Sequence, residues 1–272
     1  MTAVYPIRVL SLGAGVQSTT LLRMCIAGEI EPVEHAVFAD TGWEPRAVYD
    51  HLAKIRKETE AAGIEFHLVS QGNIRDDALN PDQRFASMPV HIQKPNGDGA
   101  MGRRQCTGEY KVKPLMAKQR EIAGLKSGQR CSEHRITTLI GISWDETQRI
   151  KDPAFPWIRN EYPLVDRRLT RQDCLLWNDQ NGFDRPPRSS CIGCPFHNDK
   201  EWRAVRKNAE DWADAVDFDR QLREGRVGDL LAPSLGFLHK SRIPLDEVDL
   251  RTVEERGQGN LFEMECEGMC GL

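Results

Sequence analysis

The stretch Ile7-Arg8-Val9-Leu10-Ser11-Leu12, followed by Gly13-Ala14-Gly15-Val16-Gln17-Ser18-Thr19, decides the fold. A short apolar run rich in β-formers stops at a glycine pair, and Gln17 to Ala27 then reads as helical up to Gly28. The chain therefore opens as strand, turn and helix. Small residues in such a turn let the backbone approach phosphate oxygens, and the exposed N–H groups and dipole of the next helix favour negative charge there. Ser18 and Thr19 add hydroxyls at the same point. Taken alone, the turn reads equally well as a plain strand-to-helix connection. It is neither GxGxxG nor the Walker form, because no lysine precedes Ser18.

The same order repeats downstream. His35 to Ala39 reads as a strand, Pro45 to Ala62 as a helix ended by Gly63, and Ile64 to Ser70 as another strand. Repeated β-then-α units predict an α/β fold with a doubly wound, mostly parallel sheet covered by helices on both faces. The second strand ends in Ala39-Asp40-Thr41-Gly42-Trp43-Glu44-Pro45, at the carboxyl edge where open sheets of this kind take ligands. Asp40 and Glu44 could hold Mg²⁺ or ribose hydroxyls there. Read singly, they could equally cap a turn and favour a helix N-terminus.

Residues 71–105 carry few periodic signals and many turn formers, and end in the basic pair Arg103 and Arg104. The run from Ile136 to Ile142 restores the sheet, Arg171 to Asn181 reads as a helix ended by Gly182, and Pro186-Pro187 breaks regular structure. Trp202, Val205, Ala209, Trp212 and Val216 then mark one face of a single helix from about Asp199 to Arg223, with the tryptophans as packing residues. The expected organisation is a nucleotide-binding α/β domain over residues 1–185 and a cysteine-bearing helical region over 186–272.

With 272 residues, 39% of them hydrophobic, the chain can bury a full core. A formal net charge of -4 gives no global attraction for a polyanion, so nucleic-acid binding would need a local basic patch. No run approaches the roughly 18 apolar residues of a membrane span, and no cationic start leads into a sustained apolar stretch. The expected location is cytoplasmic, without a membrane partner. Eight cysteines in that compartment point to burial, metal or cluster ligation, or thiol chemistry in preference to disulfides.

Cys191-Ile192-Gly193-Cys194 is a C-x-x-C turn that places two sulfurs close enough to grip one metal or cluster. Dithiol redox chemistry fits less well, because the pair follows a proline-rich break instead of opening a helix after the first strand. Cys266 and Cys270 lie in the tail Glu265-Cys266-Glu267-Gly268-Met269-Cys270-Gly271-Leu272. Either could ligate or act as a nucleophile. Cys25, Cys131 and Cys174 read as small buried or incidental residues. His197 and His239 read as core or surface histidines before zinc ligands.

The glycine turn after strand one and Ala39-Asp40-Thr41-Gly42-Trp43-Glu44-Pro45 after strand two resemble the PP-loop ATP pyrophosphatase superfamily, in particular its phosphoadenosine phosphosulfate reductase branch. Gly15 and Ser18 match the superfamily's SGGKDS turn, while Gly13, Ala14, Val16 and Gln17 depart from it. Cys106-Thr107 with Lys111, Lys113 and Pro114 is similar to the family's CT-x₃-K segment, and Gly141 to Arg149 to its glycine, acidic pair and arginine segment. The resemblance extends to the sulfur-transfer proteins of DNA phosphorothioation.

It implies that Gly13, Ala14, Gly15, Ser18 and Thr19 cradle phosphate, and that Asp40, Thr41, Gly42, Glu44 and Gly141 position the nucleotide. Arg103, Arg104, Lys111, Lys113, Arg149 and Arg188 would offset anionic charge, although basic residues of this kind also serve as a solvated surface. Cys106, Cys191 and Cys194 would hold a 4Fe-4S cluster, with zinc as the alternative, and Cys266 or Cys270 would be catalytic. The implied ligand is an adenine nucleotide, ATP or a sulfonucleotide, with Mg²⁺ as a companion the carboxylates could hold. A sulfur donor or a thioredoxin-like reductant would be the partner. The activity expected is sulfonucleotide reduction or related sulfur transfer. Its rivals are ATP-driven adenylation of a nucleic acid for thiolation, and a non-catalytic nucleotide-binding accessory of a defence or mobile element.

Overall fold

A computed structural model describes residues 6–80, 82, 88–252 and 255. In chain order the elements are β1 (Ile7–Leu12), α1 (Val16–Ile26), β2 (His35–Asp40), α2 (Arg46–Ala61), β3 (Glu65–Ser70), α3 (Ile74–Leu79), β4 (His91–Gln93) and β5 (Gly99–Met101). A π-helical turn, Thr107–Val112, leads into α4 (Lys113–Ile122), then β6 (Ile136–Ile140), a 3₁₀ turn at Trp144–Arg149, β7 (Ile158–Glu161), α5 (Pro163–Asp166) and α6 (Arg171–Gln180). The chain continues with α7 (Asp199–Arg206), α8 (Ala209–Glu224), α9 (Arg226–Leu231) and β8 (Leu235–Phe237).

These elements fall into two compact units. One comprises residues 1–73 and 107–190, the other 74–106 and 191–272. The sequence suggests a division at 185, whereas the units part at 190. Residues 74–106, read there with the first domain, cluster with the second.

The first unit is the α/β fold expected. Its five strands are all parallel in the order β3-β2-β1-β6-β7. Successive residues of β1 point to opposite faces, so Leu10 and Leu12 join Leu21, Leu22, Phe38 and Ile55 in a core covered by α1 and α2. Val9 joins Val37, Ile136 and Trp157 on the other face, against Leu115 and Met116 of α4. Helices on both faces explain why β1, β2 and β6 at the centre of the sheet are buried on both sides, whereas the edge strands β3 and β7 carry polar residues. Burying each such Leu or Ile contributes about 1.5–3 kcal/mol.

The second unit holds a small antiparallel sheet in the order β5-β4-β8, with His91 paired to Met101 on one side and Phe237 on the other. The single helix expected from 199 to 223 is two helices. Asn208 interrupts it, because its side chain accepts the Glu210 and Asp211 N–H groups at 3.0 Å and starts α8. Asn198 caps α7 in the same way, in a capping box with Glu201. Trp202 is fully buried, as its spacing suggested, and Trp212 meets it edge-on at 6.5 Å. Among the described residues no helix is long and apolar enough to cross a membrane.

Candidate functional site

Strand order fixes where a ligand can enter the first unit. From β1 the chain winds outward to β2 and β3, then returns to place β6 on the other side of β1. The carboxyl ends of β1 and β6 thus flank the topological switch point, the usual ligand crevice of a doubly wound sheet. The glycine turn leaves β1 there. Ala14 sits fully buried at φ +53 between Gly13 and Gly15, a left-handed conformation that costs a non-glycine residue about 1–2 kcal/mol.

Gly15 is the N-cap of α1, with no side-chain cap and no acidic residue in the first turn. The Val16, Gln17 and Ser18 N–H groups precede the first intrahelical bond, from Thr19 N–H to the Gly15 carbonyl at 3.0 Å. The positive end of the helix dipole thus meets no acidic residue from its own first turn. Ser18 Oγ accepts the Gly13 N–H at 3.1 Å and donates to the Gly15 carbonyl at 3.4 Å, closing the turn on itself.

Gly141, just past β6, packs directly on this turn. A Cβ there would lie 2.8 Å from both N and Cα of Ser18. Gln17 donates from Nε2 to Ser143 Oγ at 3.4 Å and to Glu146 Oε2 at 3.2 Å. A carboxylate thus stands beside the position where the turn itself lacks one. Glu146 is also held by Arg149, 2.6 Å away. Thr19 departs from expectation. It is fully buried, with its hydroxyl 3.1 Å from His51 Nε2, because its place on α1 faces the α2 side of the core. It therefore braces the helix and offers no hydroxyl to an anion. Burial, helped by the Arg23 cation, pushes the His51 imidazole down to about 4, so it is neutral at pH 7.

At the end of β2, Asp40 Oδ1 accepts the Gly42 N–H at 2.8 Å and the Tyr49 hydroxyl at 2.9 Å. Burial, with Asp40 beside it, pushes the Tyr49 phenol up, so it stays a donor. Gly42 is at φ +70, and a Cβ there would meet Asn73 Cα at 2.9 Å. Its carbonyl accepts from Asn73 Nδ2 at 2.9 Å. Glu44 is 2% exposed. Its Oε1 receives Thr41 Oγ1 at 3.2 Å and Lys111 Nζ at 3.0 Å, while the buried Oε2 has no hydrogen-bond partner. A buried carboxylate oxygen without a donor is costly, and such an atom is satisfied when a ligand hydroxyl or cation reaches it. Lys113 and Arg188 are exposed in this unit.

The remaining predicted residues belong to the second unit. Arg103 is exposed, and the Arg104 guanidinium lies over the Phe196 ring at 5.3 Å. Cys106, Cys191 and Cys194 are half-buried. The Cys194 N–H bonds to the Cys191 carbonyl at 3.1 Å, which forms the C-x-x-C turn. Two histidines hold its backbone: His197 Nε2 is 3.0 Å from the Cys191 carbonyl and His91 Nε2 is 3.2 Å from the Pro195 carbonyl. His197 is therefore a buried positioning residue, as expected for a core histidine. Among the described residues the three thiols do not all lie within 4.8 Å of one another. Cys266 and Cys270 lie outside the described residues.

Sequence reasoning missed Tyr49, Asn73, Ser143 and His91. Asn73, Ser143 and His91 act through long-range hydrogen bonds to the strand end, the turn and the cysteine loop, and Tyr49 through bonds to Asp40 and Glu44 across the start of α2, and no spacing in the sequence announces these.

No protein-family model matches the chain, and no curated protein sequence matches it. Among solved structures it is similar to the U34-tRNA thiolase NcsA from Methanococcus maripaludis with its [4Fe-4S] cluster, at 16% identity and a TM-score of 0.45, over 81% of this chain and 74% of that one. At that level no residue here takes a role from the likeness.

Proposed function

We propose that the chain is a PP-loop adenine-nucleotide enzyme that acts at the α-phosphate or at sulfur attached to it, in sulfonucleotide reduction or a related sulfur transfer. The observation that carries this reading is the crevice at the switch point. An uncapped helix N-terminus and a glycine turn face it from β1, and Gly141 closes on them from β6. The backbone N–H groups of Val16, Gln17 and Ser18 would take the phosphates. The unpartnered Oε2 of Glu44 and the carboxylate of Asp40 would take ribose hydroxyls or Mg²⁺.

Lys111, Lys113, Arg149 and Arg188 supply positive charge, with Arg103 and Arg104 assigned the same duty. Cys106, Cys191 and Cys194 are the thiolates that would hold a 4Fe-4S cluster, and three ligands would leave it an iron able to bind sulfur. In the reductase form a tail thiolate, Cys266 or Cys270, attacks the sulfonyl sulfur. The S–O bond to phosphate breaks and the adenosine phosphate leaves with that electron pair. A dithiol of the thioredoxin type then reduces the S–S bond of the S-sulfonated cysteine, releasing sulfite.

One observation favours the rival ATP-cleaving form. Glu146 sets a carboxylate 3.2 Å from Gln17 Nε2, which offers the acidic group that the turn lacks for handling a metal nucleotide. In that form ATP is split to AMP and pyrophosphate while a target is adenylated for thiolation.

Calorimetry with ATP and with a sulfonucleotide tests the shared pocket. Asp40→Asn and Gly15→Val are each expected to weaken binding at least about tenfold, or ~1.4 kcal/mol. A Cβ at Gly15 already lies 3.4 Å from Ser189, so valine fills the crevice. Unchanged affinity in both variants removes the pocket assignment. Product analysis then separates the forms: sulfite marks the reductase, pyrophosphate the ATP reaction, and binding without either marks a sensor.

A further inference from the structure

At the amino edge of the same sheet, away from the carboxyl ends of the strands, three side chains converge that the nucleotide reading does not use. β2 begins at His35 and β3 at Glu65, and these two residues are register partners, with Val37 opposite His67. Because side chains alternate along a strand, His35 lies on the same face as Val37, and Glu65 on the same face as His67. The bond from Glu65 N–H to the Glu34 carbonyl at 2.9 Å holds the two strand starts together. His35 Nδ1 is 3.1 Å from His67 Nε2 and 3.3 Å from Glu65 Oε2, and His67 Nε2 is 3.6 Å from Glu65 Oε1.

If both rings are neutral, one donates to the other and the exposed Glu65 carboxylate takes its donors from water. If both rings are protonated on the facing nitrogens, two N–H donors confront each other at 3.1 Å. A single cation satisfies all three groups at once. A tetrahedral ion bound at about 2.0–2.1 Å sets its N and O ligands about 3.3–3.4 Å apart, close to the 3.1 Å between the two nitrogens and the 3.3 Å from His35 Nδ1 to Glu65 Oε2, with Oε1 of the same carboxylate 3.6 Å from His67 Nε2.

We propose that His35, Glu65 and His67 form a site for a divalent transition metal of the zinc class, a two-histidine, one-carboxylate set with its fourth position left to water. The histidines are 18% and 14% exposed and Glu65 is 65% exposed, so the nitrogens are sheltered while the ion has an entry path. The neighbouring charges from α4, Lys118 and Glu121, pair with each other at 2.8 Å and largely cancel. Because β3 is an edge strand, the metal would fasten it to β2. Nothing in the site depends on nucleotide or sulfur chemistry.

The test is a cobalt(II) and zinc(II) titration of the full chain after chelation, in the parent and in Cys191→Ser/Cys194→Ser. Cobalt at this site is expected to give only weak d–d absorption, without the strong thiolate charge-transfer band of a cysteine site. One equivalent should persist in the double cysteine variant, and saturating zinc should raise the melting temperature of the first unit by ~5 °C. Glu65→Gln, at an exposed position that should not compromise folding, is expected to weaken binding at least about tenfold. His67→Phe should abolish it. The proposal is overturned if the double cysteine variant binds no equivalent, or if Glu65→Gln and His67→Phe both bind as the parent does.

Discussion

Replacing Gly141 with alanine is expected to cost about 1–3 kcal/mol of stability and to weaken nucleotide binding more than any single loss of a polar contact. The new Cβ would lie 2.8 Å from N and Cα of Ser18 and 3.1 Å from the Gln17 carbonyl carbon, all of them backbone atoms. Backbone cannot rotate away as a side chain can. Either the end of β6 or the start of α1 must retreat, and the N–H groups that face the crevice move with α1. Thermal denaturation with calorimetry on the same sample checks both effects. Parent-like stability together with parent-like affinity would show that the close approach does not shape the cradle.

Lys111→Met should be comparably severe, at about 2–4 kcal/mol. This is set somewhat below the 3–5 kcal/mol for breaking a fully buried pair, because the Lys111 side chain is 35% exposed. The substitution keeps the apolar stem and removes the ammonium 3.0 Å from Glu44 Oε1, beside an Oε2 that already has no donor. Adding Glu44→Gln to Lys111→Met should recover part of the loss, since no charge is then stranded. Urea unfolding of the two single variants and the double variant measures the coupling. Additive effects would mean that the pair is solvated and not energetically joined.

The first unit was legible because β1 and β2 are built around apolar runs and the helices that follow them stop at glycine. The apolar run of β1, the glycine pair after it and the alternation through β3 leave few other topologies. The second unit was not legible. β4, β5 and β8 have three residues each, too few to show a period, and Asn208 breaks a helix whose apolar spacing runs straight through it. At the candidate site the sequence singled out the turn, Asp40, Glu44 and Lys111 as candidates, but not which of them touch. The Glu44–Lys111 pair spans 67 positions and the Gln17–Glu146 bond spans 129. Thr19 was misread for a related reason. Three residues into a helix, the direction a side chain takes depends on the face that packs, and α1 turns that face toward His51. The amino-edge histidines were passed over because their ligand pattern exists only once β2 and β3 are aligned.

The burial of two thiols in the first unit has a consequence for how this molecule meets electrophiles. Burial pushes Cys25 up to about 11 and Cys174 up to about 12. At neutral pH less than about one molecule in 10⁴ presents a thiolate at either position, and neither sulfur is accessible to a reagent. Of the eight cysteines, these two should therefore stay silent to an alkylating probe for as long as the sheet and its α1–α6 cover remain closed. Their labelling rate then becomes a clock for opening of that layer. Mass spectrometry of a timed alkylation should find Cys25 and Cys174 modified together and late, accelerated by low urea. Prompt labelling of either in native buffer would mean that the layer opens far more readily than its packing implies.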